Sequence, residues 1–240
     1  MLFLQHNEKI LEKIMKNYMN LLRRAKIFRG VEEQDILAML DCLTAVKKSF
    51  ARGEFLYRAG ERASMAALVL DGMFHIDRED YWGNNSILAD VSEGELLGEV
   101  YSFLDDEPAG INAVAVRDST VLLLDVKRIF QTCSAVCPHH AILIRNFAYV
   151  LAVKNRELTR KLEHMSQRTT RGKLLSYLSD QSVKQGTSCF DIPFNRQQLA
   201  DFLAVDRSAM SKELGKLRDE GILEFDRNHF VLKQGREYET

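Results

Sequence analysis

Apolar and polar positions alternate in three textures along the chain. From Leu4 to Ala25 apolar residues recur at helical spacing (Leu4, Ile10, Leu11, Ile14, Met15 and Leu21), which predicts a helix over residues 4–25. A second short amphipathic segment covers residues 32–43. Between Ala45 and Asp125 the texture changes to short β-rich runs: AVKKSF, EFLYRAG, MAALVLDGMFHID, NSILADV, NAVAV and TVLLLD. Turn signals separate them at Gly53, Gly60, Gly72, Gly83-Asn84, Gly94 and Pro108-Ala109-Gly110. Many short strands at this spacing predict an antiparallel sandwich, barrel or jelly roll.

After Cys137-Pro138 the pattern becomes helical as far as Met165. Pro138 suits a first helical turn, where its missing N–H removes no bond. Ile144, Leu151, Leu158 and Met165 recur every seventh residue, and Ala148, Asn155 and Leu162 fall four further on each time. That heptad pattern predicts a coiled-coil seam paired with its own copy, the alternative being a core helix of one chain. Asn155 in the seam would fix register or touch a ligand. Leu143, Phe147 and Val150 lie off the seam and could pack on the β-rich part.

The polar stretch HMSQRTTRG follows, then a helix at about 170–182 and the loop KQGTSCFDIP. A helix over 196–203 is predicted next, with Asn195 as N-cap and Gln198 completing a capping box. Another spans 207–220, capped by Asp206 and stopped by Gly221. ILEFDRNHFVLK then reads as two short strands around a turn. Helix, tight turn, helix and hairpin make a winged helix-turn-helix. Leu199, Phe202 and Leu203 face Met210, Leu214 and Leu217 across the helix pair. Small Ala200 allows close approach, and Val205 plugs the junction. Arg207, Ser208, Ser211 and Lys212 are left on the outer face. An arginine in the first turn of such a helix can donate two parallel hydrogen bonds to guanine.

Bulk properties alter this picture little. At 240 residues the chain exceeds the usual single-domain size. The first 140 residues carry 16 Lys and Arg against 21 Asp and Glu, and the last 100 carry 17 against 13. The modestly basic C-terminal part suits a polyanion partner. Four scattered cysteines make no disulfide framework. No apolar run is long enough to span a membrane, and MLFLQHNEKI is too short and too soon charged for a secretory signal. The expected location is cytoplasmic, with no membrane partner.

RQQLADFLAVDRSAMSKELGKLRDEGIL resembles the helix-turn-helix of the Crp/Fnr family, that of the cyclic-AMP receptor protein and the fumarate–nitrate reduction regulator. The glycine-punctuated strands, including GELLGEV, resemble its β-roll. The resemblance runs from about residue 20 to 233. It implies an α+β fold: an N-terminal antiparallel β-roll (a jelly roll like that of cyclic-nucleotide-binding domains), a long dimerisation helix and a C-terminal winged helix-turn-helix. The corresponding domains are residues 1–137, 138–168 and 169–240. It further implies a homodimer on a palindromic operator in double-stranded DNA, answering a small-molecule effector, with RNA polymerase as a possible partner. No fixed cofactor is implied. Arg207, Ser208 and Lys212 lie where the family reads bases, and Arg196, Gln197, Ser211 and Thr170 near positions that touch the DNA backbone. Asp206 would repel phosphate and is kept as a cap only. The seam would comprise Ile144, Leu151, Leu158, Leu162 and Met165. Gly98, Glu99, Gly110 and Ile111 would border the effector, with Asn155 and Arg156 on the long helix.

The resemblance breaks at the effector. Cyclic-nucleotide-binding members follow Gly-Glu with an arginine for the cyclic phosphate. Here LDDEPAGINAVAV holds none, and Asp105, Asp106 and Glu107 precede Pro108. A phosphate beside three carboxylates without a cation is disfavoured, so the effector is expected not to be cyclic AMP. Residues 1–41 hold no cysteine for an N-terminal iron–sulfur cluster of the family's usual kind. CSAVCPHH places Cys133, Cys137, His139 and His140 close together, and a redox or metal sensor using them is the alternative reading. His75, standing alone, reads as core or surface. No nucleophile–base constellation and no Walker, Rossmann or H-E-x-x-H motif is visible, so no enzymatic role is expected.

Overall fold

A computed structural model describes residues 17–79, 81–82, 85–104, 107–130 and 138–233. The chain divides into two compact units with the boundary between Ala152 and Val153, inside the long helix. The first unit opens with helix α1 (Met19–Arg24), a 3₁₀ turn (Lys26–Phe28) and α2 (Glu33–Cys42). The part of the expected first helix before residue 17 lies outside the described residues.

Eight strands follow: β1 (Val46–Phe50), β2 (Phe55–Tyr57), β3 (Ala66–Asp71), β4 (Met73–Glu79), β5 (Asn85–Ser92), β6 (Leu96–Leu97), β7 (Asn112–Ala115) and β8 (Ser119–Leu124). They form two antiparallel four-stranded sheets, ordered β1-β8-β3-β6 and β2-β7-β4-β5. The inner faces share one core, in which Val69 and Val121 of the first sheet join Phe74, Ile76 and Ala113 of the second. Strand β3 is buried on both faces. Ala67 and Val69 point into that core, while Ala66, Leu68 and Leu70 join a second core with α1, α2 and the long helix. This period of two explains why AALVL reads as an unbroken apolar run. The run MAALVLDGMFHID is two strands, not one, because Gly72 sits at φ +99° where a Cβ would lie 2.1 Å from Ser119 Oγ. Only glycine fits that corner.

A short helix, α3 (Glu99–Phe103), stands after β6, and a 3₁₀ turn (Val126–Phe130) follows β8. The long helix α4 is Pro138–Met165, 28 residues with the boundaries the heptads predict. In the first unit its Leu143, Phe147 and Val150 are buried in the helix-side core, as their off-seam positions require. Asn146 is buried beside them and donates to the carbonyls of Ile27 (3.0 Å) and Arg29 (2.8 Å). One amide thereby ties the helix to the loop after α1.

The second unit contains α5 (Thr170–Gln185), β9 (Cys189–Asp191), α6 (Arg196–Leu203), α7 (Arg207–Asp219), β10 (Leu223–Asp226) and β11 (His229–Leu232). The stretch KQGTSCFDIP is not simply a loop. Its Cys189–Asp191 pairs antiparallel with Val231–His229, giving a three-stranded sheet of order β10-β11-β9. Leu174, Leu178, Leu199, Leu203, Met210, Leu214, Leu217 and Phe230 form the core between the helices and this sheet. Each fully buried leucine contributes roughly 1.5–3 kcal/mol before chain entropy is set against it.

Candidate nucleic-acid interface and sensor fold

The turn between α6 and α7 is built by local chemistry at both ends. Asn195 accepts from the Gln198 amide while the Gln198 side chain accepts from the Asn195 amide, a complete capping box. Helix α6 stops at Ala204 in the left-handed region (φ 49°). Lys173 of α5 donates to the exposed carbonyls of Leu203 (3.1 Å) and Ala204 (3.2 Å), which helix termination would otherwise leave open. Val205 packs on the core, and Asp206 caps α7 by accepting from the Ala209 amide at 2.8 Å. The Ser208 hydroxyl also donates to Asp206, and these bonds hold the exposed carboxyl below its usual pKa.

Helix α7 is therefore anchored by one face and bare on the other. Met210, Leu214 and Leu217 are buried, whereas Arg207, Ser208, Ser211 and Lys212 are exposed. Among the described residues the Arg207 and Lys212 side chains engage no hydrogen-bond or ion-pair partner. Arg171 of α5 fixes α7 from behind, bonding both carboxylate oxygens of Glu220 and lying 3.6 Å from Glu213. The exposed turn can thus present two uncommitted cations and two short hydroxyls at the positively polarised end of a helix.

The flanking candidates divide. Gln197 is exposed and donates to Asp201, and Thr170 is half-buried in the first turn of α5, whose cap is Thr169. Arg196 is half-buried against the wing. Its guanidinium lies over the rings of Phe225 (4.8 Å) and Phe230 (5.2 Å), joining α6 to the wing, and burial lowers its pKa. Sequence reasoning missed Lys173 and Arg171, since neither partner is close in the chain.

In the sensor fold Gly98 (φ +75°) precedes α3, so Glu99 starts a short helix. Glu99 is buried. A Cβ on Gly98 would come within 3.1 Å of the Tyr57 ring, and Tyr57 meets Tyr101 edge-on at 6.4 Å. Burial first, and then the Glu99 charge, push the Tyr57 phenol above its ordinary pKa. Ile111 is half-buried against the same core, and a Cβ added at Gly110 would lie 3.9 Å from the Tyr101 hydroxyl. These candidates are brought together around Tyr57 and Tyr101, which the sequence did not mark. Asn155 and Arg156 are both exposed on α4.

Seam residues Ile144, Leu158 and Leu162 are exposed, Leu151 and Met165 half-buried. Cys133, Cys137 and the His139 side chain lie outside the described residues. His140 contacts Cys42, Nε2 to Sγ 3.4 Å, and among the described residues no cluster of three His, Cys, Asp or Glu is placed to hold a metal. His75 pairs with Asp90 across β4 and β5. No described helix is long and apolar enough to cross a membrane.

A β-roll, a long helix and a winged helix-turn-helix with a bare first turn define a sensor-coupled DNA-binding regulator, and comparison with known proteins gives the same class. Residues 47–135 match the family described as cyclic nucleotide-binding domain, and residues 172–236 the Crp-like helix-turn-helix domain. The chain is 22% identical over 209 residues to the anaerobic regulatory protein of Bacillus subtilis, covering 85% of this chain and 86% of that one. It is 25% identical over 203 residues to the cyclic AMP receptor protein of Thermus thermophilus, covering 84% and 89%. Among solved structures, CprK complexed with OCPA superposes with a TM-score of 0.65 at 15% identity, over 91% of this chain and 88% of that one. The c-di-GMP responsive regulator CLP of Xanthomonas campestris gives 0.60 at 18% identity, over 85% and 100%. The chain belongs to the Crp/Fnr family of transcription regulators.

Proposed function

We propose that this regulator works as a homodimer that reads a palindromic operator in double-stranded DNA through Arg207, Ser211 and Lys212, under control of a small effector other than cyclic AMP. The observation that carries the reading is the exposed first turn of α7. Asp206 fixes the helix start, the opposite face is locked into the core, and Arg207 comes first. Ser208 spends its proton on Asp206, so its oxygen is left to accept. The half-site reader is then Arg207 supported by Lys212, with Gln197 and Thr170 at the backbone. Paired with guanine, Arg207 would supply roughly 1–3 kcal/mol of discrimination per half-site.

Against a cyclic nucleotide stands the absent arginine for its phosphate. The relatives' own names mention cyclic AMP, c-di-GMP and OCPA, so the shared scaffold leaves effector chemistry open.

Selection of bound sequences from random duplex DNA tests the reading. The expected product is a palindrome with guanine at matched positions, and Arg207→Ala should abolish sequence-specific retardation while nonspecific binding at low salt persists. Undiminished operator affinity in Arg207→Ala would overturn Arg207 as the base reader.

A further inference from the structure

The outer face of the wing sheet carries a constellation that its sequence spacing conceals. Register places Val231 opposite Cys189, His229 opposite Asp191 and Asp226 opposite His229, so all five side chains share one face. The opposite face, with Phe190, Leu223 and Phe230, is buried. On the outer face Cys189 Sγ lies 3.3 Å from His229 Nε2, and His229 Nδ1 lies 3.0 Å from Asp191 Oδ1. Asp191 is a carboxylate that can only accept there, so Nδ1 carries the ring proton and Nε2 is left to accept from the thiol. Nucleophile, base and orienting carboxylate thus stand in line. Cys189 is exposed, and His229, Asp226 and Val231 border an open cleft of about 480 Å³ on the wing.

We propose that Cys189 is a reactive modification site that exchanges with small disulfides of neutral or cationic character. The thiol proton passes to His229 Nε2 as sulfur attacks one sulfur of the disulfide. The old S–S bond breaks, a mixed disulfide forms on Cys189, and the leaving thiolate takes the proton back from His229. One thiol and one disulfide enter, and one thiol and one disulfide leave. Within residues 153–240 the mixed disulfide is the end product, since that unit contains no second cysteine to resolve it. Asp191 and Asp226 set the charge preference, since both carboxylates flank the base and repel an anionic disulfide. Glu224 on the same face is matched by Lys233. Cys42 also meets a histidine, but it is half-buried, which makes it an internal comparison. The site stands whether or not the DNA reading holds.

The test treats the full-length protein at neutral pH with limiting cystamine or glutathione disulfide, quenches with acid and locates the adducts by peptide mass spectrometry. Cys189 should be labelled faster than in the urea-unfolded chain, and faster by cystamine than by glutathione disulfide. His229→Gln, which keeps a polar side chain on the strand, should slow it about tenfold or more, the low end of general-base contributions. Asp191→Asn should slow it less, while Cys42 labelling stays unchanged in both variants. A Cys189 rate no higher than in the unfolded chain, or unaltered by His229→Gln, would overturn the proposal. Equal rates with the two disulfides would overturn the charge preference. Circular dichroism of each variant distinguishes a lost base from a lost sheet.

Discussion

His164, on the last turn of α4, shows how one side chain couples packing to pH in the second unit. It is buried, with Nδ1 2.8 Å from the Ser176 hydroxyl, Nε2 3.8 Å from Asp180 and its ring edge-on to Tyr177. Burial lowers its pKa; Asp180 and Glu163 oppose this, while Lys184 and Arg160 add to it. The folded state therefore prefers the neutral ring, whereas in the unfolded chain it titrates near 6.5. Below that pH the unfolded state binds more protons, so the contribution is complete above about 6.5 and is lost as pH falls toward and through the lower folded value. Thermal melts between about pH 7.5 and 5.5, either side of the free imidazole value, should show a steeper loss of Tm in the wild type than in His164→Gln. Parallel slopes in the two proteins would contradict this.

At the scale of elements, the short helix α6 illustrates what the sequence makes legible. It has eight residues, too few to hold without help, and its capping box fixes where it begins. Asn195→Ala should cost about 1 kcal/mol in urea unfolding, and Asn195→Asp, which still accepts from the Gln198 amide, should cost much less. Equal losses would mean that Asn195 acts through something other than the cap. Boundaries of this kind could be read from the chain because caps are local: Asn195 with Gln198, Asp206, Gly221 and Pro138 each act within a turn of themselves. What escaped was non-local. Cys189–Asp191 is a strand only because β11 pairs with it, Gly72 is a corner only because Ser119 lies against it, and Arg196 is drawn to rings about thirty residues away. The exposure of Arg207, Ser211 and Lys212 was legible because a helix with one apolar face must expose the other. Cys189 and His229 were not, since strand register alone brings them together.

At the scale of the whole molecule, the proposed homodimer makes α4 the element that would determine how many half-sites are read at once. In the first unit its Leu143, Phe147 and Val150 are consumed by the core, yet Ile144 (40% exposed), Leu158 (62%) and Leu162 (66%) leave a second apolar stripe uncovered. In the proposed homodimer a second copy of the same helix would cover this stripe, which has heptad spacing on a helix of 28 residues, with exposed Asn155 placed to set the register. Placing glutamate at both Leu158 and Leu162 puts four like charges into such a seam without touching the core on the other face. The double variant should sediment as a monomer with unchanged circular dichroism. It should also bind a palindromic operator about 10²-fold or more weaker, because the second half-site is no longer held at high effective concentration. Affinity for an isolated half-site should be nearly unaltered, since Arg207 and its supports stand in the other helix pair. Sedimentation as an intact dimer would move the partner contact off this stripe. A monomer that still bound the full palindrome at wild-type strength would separate DNA reading from dimerisation altogether.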